Sequence, residues 1–116
     1  MKKSALPGVA TPRKEDPNVL PLEGEIDLHV SPAVTTSLNE MIAEKPTRLV
    51  VDLSRVTYID SAGLAAFIGA MQEVEAYGGK FALAGLQETV YSIFKMSRLD
   101  EIFSIFPDVD AALAGT

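Results

Sequence analysis

The heptapeptide Tyr58-Ile59-Asp60-Ser61-Ala62-Gly63-Leu64 marks the point where an apolar strand gives way to an amphipathic helix. Residues 48–53, shortly before it, contain the nearly continuous apolar run Leu49-Val50-Val51-Asp52-Leu53, which is typical of a strand covered on both faces of a parallel sheet. After it, apolar side chains recur at helical spacing until Gly78-Gly79 ends the helix: Leu64, Phe67, Ile68, Met71 and Val74. The stretch therefore predicts a strand-to-helix crossover, the repeating unit of an α/β domain.

Strand and helix alternate on both sides of this crossover. Upstream, residues 18–24 predict a short strand, which Pro21 assigns to an edge or a bulge because proline cannot donate to the ladder. The next helix is predicted to begin with Ser31 as its cap and Pro32 at its first position, and to end near Lys45-Pro46. Its apolar stripe comprises Val34, Leu38, Met41 and Ile42.

The downstream elements complete the predicted fold. In order, they are a strand over 80–84, a helix over 87–97, a strand over 101–106, and a terminal helix that Pro107 opens with Asp108 in its first turn. The fold class is therefore α/β, with a mixed, mainly parallel sheet of about four to five strands and four helices. Residues 1–17 are proline-rich and predict a flexible or irregular segment ahead of one domain over 18–116.

Composition excludes several classes of protein. Apolar residues make up 47% and charged residues 22% of the 116, the balance of an ordinary globular domain. No run approaches the ~18 to 20 apolar residues of a membrane span, and the start lacks the apolar core of a signal peptide. The absence of cysteine excludes disulfides, thiol catalysis and thiolate metal sites. We therefore expect a cytoplasmic protein without a membrane span.

The net charge of −6 is unevenly distributed. Residues 1–14 hold four of the ten basic residues and no acidic residue, so residues 15–116 carry six basic and sixteen acidic side chains, a balance of −10. This acidic segment would be repelled by the phosphate backbone of a nucleic acid, so we expect no direct binding of nucleic acid. It favours a basic protein partner instead.

The motifs for catalysis are incomplete. The only histidine is His29, and Ser61 lacks the preceding glycine of the nucleophile elbow G-x-S-x-G. Gly78-Gly79-Lys80 follows a helix and precedes a strand, the reverse of a phosphate-binding P-loop. Three aspartates, Asp27, Asp52 and Asp60, are predicted at or just beyond strands and could share one edge of the sheet. There they would either bind Mg²⁺ or cap helices and loops, and both alternatives stay open.

Ser61 is better suited to carry a phosphate than to act as a nucleophile. The first turn of a helix offers unsatisfied N–H groups and a positive dipole potential, although Ser61 or Asp60 could also be a simple helix cap. Small residues continue from it along one side of the helix, at Ala62, Ala66 and Gly69. They form either a docking face for another protein or a contact with a neighbouring helix of the same domain.

Several segments resemble, in order and spacing, the STAS family and in particular the bacterial anti-sigma-factor antagonists. They are Gly24-Glu25-Ile26-Asp27, Val50-Val51-Asp52-Leu53, Asp60-Ser61-Ala62-Gly63-Leu64, Gly78-Gly79-Lys80 and Leu99-Asp100-Glu101-Ile102-Phe103. The resemblance covers most of the chain from about residue 18. The chain departs from the pattern in residues 1–17, which are too rich in proline for the family's first strand. It also departs at Ala62, which leaves no second hydroxyl beside Ser61.

The resemblance implies a phosphorylation switch. An anti-sigma factor that is also a serine kinase of histidine-kinase-like ATPase fold would bind the unphosphorylated protein and phosphorylate Ser61. The phosphorylated protein would then be released until a PP2C-type phosphatase restores it. The protein itself would be a substrate and binder, without enzymatic activity, cofactor or metal. The predicted partner-binding residues are Glu25, Asp27, Asp60, Ser61, Ala62, Gly63, Leu64, Ala66 and Gly69.

Two other functional classes stay open. The resemblance extends to stand-alone STAS domains that act as regulatory subunits of membrane transport complexes, and the basic N-terminal segment is compatible with such a role. A small metal-dependent enzyme would instead use Asp27, Asp52 and Asp60 together.

Overall fold

The computed structural model describes residues 7–10 and 18–115. Over this part of the chain, strands and helices alternate, with one turn of 3-10 helix at Leu99–Glu101. The elements are β1 (Val19–Ile26), α1 (Ser31–Ile42), β2 (Arg48–Ile59), α2 (Ser61–Ala76), β3 (Lys80–Ala84), α3 (Glu88–Met96), β4 (Ser104–Phe106) and α4 (Val109–Ala114). Most of the predicted irregular segment 1–17 lies outside the described residues.

The four strands form one sheet in the order β1-β2-β3-β4, and each neighbouring pair is parallel. This confirms the predicted α/β fold with its mainly parallel sheet and four helices. β1 lies at an edge, as Pro21 predicts, and its register with β2 shifts between Pro21 and Glu23. On its outer side, Val9 forms an isolated antiparallel bridge with Leu22.

Both faces of the sheet are covered, so the central strand is apolar on both sides. Leu49, Val51 and Leu53 of β2 belong to the large core beneath α1, α2 and α3, and all three are fully buried. Val50 points to the opposite face and is equally buried. The second, smaller core there contains Val19, Val50, Ala82, Ala84 and Ala112, the last of them from α4. This two-sided burial explains the continuous apolar run in the sequence.

The structure corrects the predicted start of α1. Ser31 is the first residue of α1 and is buried, whereas Val30 occupies the cap position without a side-chain hydrogen bond. The N–H of Ser31 donates instead to the carbonyl oxygen of Asp27 at 2.8 Å. A turn built on Asp27 therefore replaces the expected serine cap.

Three further boundaries differ from their predictions. β2 extends beyond residue 53 to Ile59, because it pairs with β1 as far as Ile26. The predicted strand over 101–106 begins only at Ser104, since the 3-10 turn and its exit occupy the preceding residues. Asp108 is the cap of α4 rather than a residue of its first turn, and its carboxylate accepts from the N–H of Ala111 at 2.8 Å.

The side chain of Tyr77 connects the end of α2 to the loop that precedes β2 through one hydrogen bond. The hydroxyl of Tyr77 donates to the carbonyl oxygen of Pro46 at 2.8 Å. Partial burial raises the pKa of the Tyr77 phenol above its ordinary value of 10.0, because the charged form is poorly solvated there.

Replacing Tyr77 by phenylalanine is expected to lower the free energy of unfolding by about 1 kcal/mol at neutral pH, because the Pro46 carbonyl loses its donor. Since the folded-state pKa is raised, the unfolded chain loses the phenolic proton first as pH rises. The contribution of Tyr77 is therefore complete below about pH 10 and declines above it. Urea unfolding at neutral pH and at about pH 11 measures both effects.

Tyr91→Phe is the matched control, because Tyr91 is exposed on α3. A Tyr77→Phe protein that matches Tyr91→Phe at both pH values would contradict a structural role for the Tyr77 hydroxyl.

Candidate functional site

The candidate site lies where β1 and β2 end at the same edge of the sheet. Ile26 and Ile59 are partners in the parallel register, so Asp27 and Asp60 follow them side by side. The N–H of Asp60 donates to the carbonyl oxygen of Ile26 at 3.1 Å. This edge also carries the N-terminus of α2, which begins at Ser61.

The carboxylate of Asp60 connects three segments of the chain. Its Oδ1 accepts from the N–H groups of Ala62 at 2.9 Å and Gly63 at 3.1 Å, so Asp60 is the cap of α2. Its Oδ2 accepts from the N–H of Leu28 at 3.0 Å, in the loop between β1 and α1. One half-buried side chain thereby fixes the start of α2 against the end of β1.

Asp27 organises the loop beside it in the same way. Its Oδ1 accepts from the N–H groups of His29 at 3.0 Å and Val30 at 3.2 Å. Asp27 and Asp60 thus both bind backbone donors, which supports the capping alternative for this pair.

Asp52 does not share this edge, so that part of the prediction is wrong. It lies within β2, where its partners in the register are Pro21 and Ala84. The prediction placed it at a strand end because the continuation of β2 to Ile59 was not visible in the apolar pattern. Within residues 7–10 and 18–115, no group of three or more His, Asp or Glu side chains is arranged to hold a metal ion.

Ser61 is exposed at the first position of α2. Because Asp60 supplies the cap, the Ser61 hydroxyl is not needed to satisfy the helix N-terminus. A phosphate on this hydroxyl would lie at the N-terminus of α2, where the helix dipole stabilises negative charge.

The surroundings of Ser61 combine negative charge with exposed apolar groups. Glu25 is exposed near the end of β1, and its partner in the register is Tyr58 of β2. The Tyr58 side chain is 47% exposed and that of Leu28 is 68% exposed. The partner-binding residues predicted from the sequence did not include Tyr58 or Leu28. The sequence feature that could have identified them is a large side chain at a position that the helix and strand patterns do not assign to the core.

The small-residue side of α2 faces a neighbouring helix of the same domain, and its role as a docking face stays a prediction. α1 packs beside α2, but the two helices leave between them an open groove of about 350 Å³. Ala62, Ala66 and Gly69 line this groove and are half-buried. Leu64 is also half-buried but packs against the large core.

Gly63 has a different role, because it is buried where α2 approaches β1. A Cβ atom at this position would lie 2.8 Å from the carbonyl oxygen of Ile26 and 2.7 Å from Cγ1 of Ile59. Glycine is therefore required for the close contact between helix and strands. We assign Gly63 this packing role.

Comparison with known proteins relates these features to one family. Residues 9–112 match the sequence model of the STAS domain. The chain is 33% identical over 97 residues to the anti-sigma-F factor antagonist RsfB of Mycobacterium tuberculosis, covering 84% of this chain and 79% of that protein. An anti-sigma factor antagonist from Mycobacterium paratuberculosis has a similar structure, with a TM-score of 0.76, 28% identity, and coverage of 83% and 81%. The phosphorylated form of the Bacillus cell fate determinant SpoIIAA gives a TM-score of 0.64 at 25% identity, covering 83% and 86%.

Asp60→Ala is expected to lower the free energy of unfolding by about 2 kcal/mol, because it removes the α2 cap and the acceptor for the Leu28 N–H. Asp108→Ala is the control, since Asp108 caps α4 through one N–H group and its loss is expected to cost about 1 kcal/mol. Urea unfolding measures both. Equal losses would show that the bond to Leu28 adds no stability.

Gly63→Ala is expected to lower the free energy of unfolding by about 2 kcal/mol, because the added methyl group meets the backbone of β1. Gly69→Ala is the control in the same helix, since a Cβ at Gly69 has no atom within 4 Å. If thermal unfolding showed the two variants to be equally stable, the close contact at Gly63 would not be the reason that this position requires glycine.

Proposed function

The chain belongs to the STAS domain family, and from this premise we propose that it is an anti-sigma-factor antagonist in a partner-switching pathway. In its unphosphorylated form it binds an anti-sigma factor that is also a serine kinase of histidine-kinase-like ATPase fold. Phosphorylation of Ser61 releases it, and a PP2C-type phosphatase removes the phosphate. The protein acts in the cytoplasm as a binder and substrate, without enzymatic activity of its own.

The observation that carries this proposal is the division of roles between Asp60 and Ser61. Asp60 caps α2, so the exposed hydroxyl of Ser61 is available for modification without loss of a structural bond. The names of the relatives support the same role, since RsfB is an anti-sigma-F factor antagonist. The similar SpoIIAA structure is a phosphorylated form.

Electrostatics explains how a phosphate on Ser61 controls binding. It adds up to about two negative charges beside Asp60, and the dipole of α2 tolerates them. In a complex, the same charges are buried at the interface, where an unpaired charge is strongly destabilising. The switch therefore changes the affinity for the partner while the fold stays intact.

The charge of the protein favours a basic surface on the kinase. Residues 15–116 carry a balance of −10, and Glu25 is exposed near the Ser61 end of α2. Glu25, Asp27 and Asp60 give this end a negative rim, and Leu28 and Tyr58 add apolar contact area. We assign Glu25 to an ion pair with the partner and the two exposed apolar side chains to the interface.

Ser61→Ala is expected to retain an ATPase-fold kinase from a lysate of the native host, whereas Ser61→Asp is expected to lose it. Mass spectrometry of the two pull-downs identifies the partner. Ser92→Ala, at an exposed serine of α3, is the control and is expected to be phosphorylated like the wild-type protein.

Two outcomes would contradict the proposal. Phosphate on a different serine or threonine in the Ser61→Ala protein would place the switch elsewhere. Recovery of the same membrane complex with both baits would support the alternative role, a regulatory subunit of a membrane transport complex. Among the helices that the structure describes, none is long and apolar enough to cross a bilayer.

A further inference from the structure

The groove between α1 and α2 starts beside Ser61 and runs along both helices. On α2, its wall follows Ala62, Ala65, Ala66 and Gly69 as far as Glu73. On α1, the facing wall contains Thr35, Leu38 and Asn39. The surface is therefore concave, has small side chains along one wall, and is continuous with the end of α2 where the switch is proposed.

Gly69 is the residue of this groove that the fold itself does not explain. Glycine is a poor helix former, and it is usually retained in a helix where a side chain would not fit. That reason applies to Gly63, whose added Cβ would collide with β1 and β2. It does not apply to Gly69, because an added Cβ there has no atom within 4 Å. The space beside Gly69 is thus open in the isolated protein.

The chemistry of the groove selects the kind of segment that fits it. Most of the lining consists of Ala, Gly and Leu side chains, which offer no hydrogen bonds; only Thr35, Asn39 and Glu73 can form them. The backbone groups of α1 and α2 are bonded within their own helices. An extended segment would leave most of its backbone N–H and C=O groups without a protein partner on such a surface. A helix satisfies these groups internally and packs closely on small residues, so the groove favours a helix.

The charges around the groove define the occupant further. α1 contains one charged residue, Glu40, and α2 contains two, Glu73 and Glu75. All three are acidic, but only Glu73 lines the groove, and Glu75 lies in a different pocket that Arg48 also lines. A second copy of this protein would bring like charges together, whereas a helix with lysine or arginine beside Glu73 would be attracted.

We propose that this groove binds a basic amphipathic helix of the anti-sigma kinase, with Gly69 as the point of closest approach. This inference rests on the proposed function and extends the partner surface from the Ser61 end along the length of α2. Gly69 then determines how closely the two proteins approach, while Ser61 determines whether they bind.

The test compares stability with affinity in variants at Gly69. Gly69→Ala and Gly69→Leu, each made in the Ser61→Ala background, are titrated against the purified kinase recovered in the pull-down. Gly69→Ala is expected to raise the midpoint of thermal unfolding by roughly 4 °C, because alanine is the better helix former. Both variants are expected to weaken binding, by between about 5-fold and 100-fold, with leucine the larger effect.

Gln72→Leu is the matched control, because Gln72 is exposed on α2 and does not line the groove. It is expected to bind the kinase like the parent protein. Photo-crosslinking from an unnatural residue at position 65 is expected to label a helix of the kinase that carries lysine or arginine.

The outcomes distinguish the two proposals. If Ser61→Ala binds the kinase and both Gly69 variants bind equally well, the groove proposal is overturned and the proposed function stands. If no variant binds, including Ser61→Ala alone, the proposed function fails and the groove proposal fails with it. Labelling of a strand or loop, or a dimer of the wild-type protein that Gly69→Leu dissociates, would overturn the assigned occupant.

Discussion

The carboxylate of Asp60 is the interaction on which the arrangement of the site depends. It accepts three backbone N–H groups, two from the first turn of α2 and one from Leu28 in the loop after β1. Parallel strands bring their carboxyl ends to one edge of the sheet, but they do not by themselves fix the following loop and helix relative to each other. Asp60 does so with a single side chain. The exposed edge of the sheet therefore has a defined shape that a partner can recognise.

The site separates residues that maintain the fold from residues that are free to meet another protein. Asp60 and Asp27 are occupied by backbone donors, and Gly63 is required where α2 contacts β1. Ser61, next to Asp60, takes no part in the cap, and Gly69 faces open space. Neighbouring residues of one short motif thus have opposite roles, because burial and hydrogen bonding change from one position to the next. A negative charge added at Ser61 would therefore leave the hydrogen bonds of Asp60 and Asp27 in place.

The sequence predicted the central part of the fold well, because strong local patterns determine it. The apolar run in β2, the helical spacing in α2 and the glycines that precede β3 each reflect burial along the local chain. The position of Asp52 was not predictable, since the length of β2 depends on pairing with β1 rather than on its own apolar pattern. The cap of α1 was missed for a similar reason, because the turn at Asp27 replaces the bond expected from Ser31. In the candidate site, the motif correctly placed Ser61 at the start of α2, and its phosphorylation stays a prediction. The exposure of Leu28 and the open space at Gly69 depend on tertiary packing, which spacing alone does not encode.

The order of the strands has a consequence for how the domain assembles. Each strand pairs with the next strand along the chain: Val19 with Val50, Val50 with Ala82, and Ala82 with Ser104. The paired residues are 31, 32 and 22 positions apart, so each pairing closes a loop for which the entropic cost is modest. The sheet can grow in one direction, from the N-terminal strand to the C-terminal strand, in the order in which a ribosome delivers them. All donors and acceptors of the Asp60 joint lie within residues 26–63. These hydrogen bonds are thus encoded before residue 64, ahead of β3 and β4, which complete the sheet.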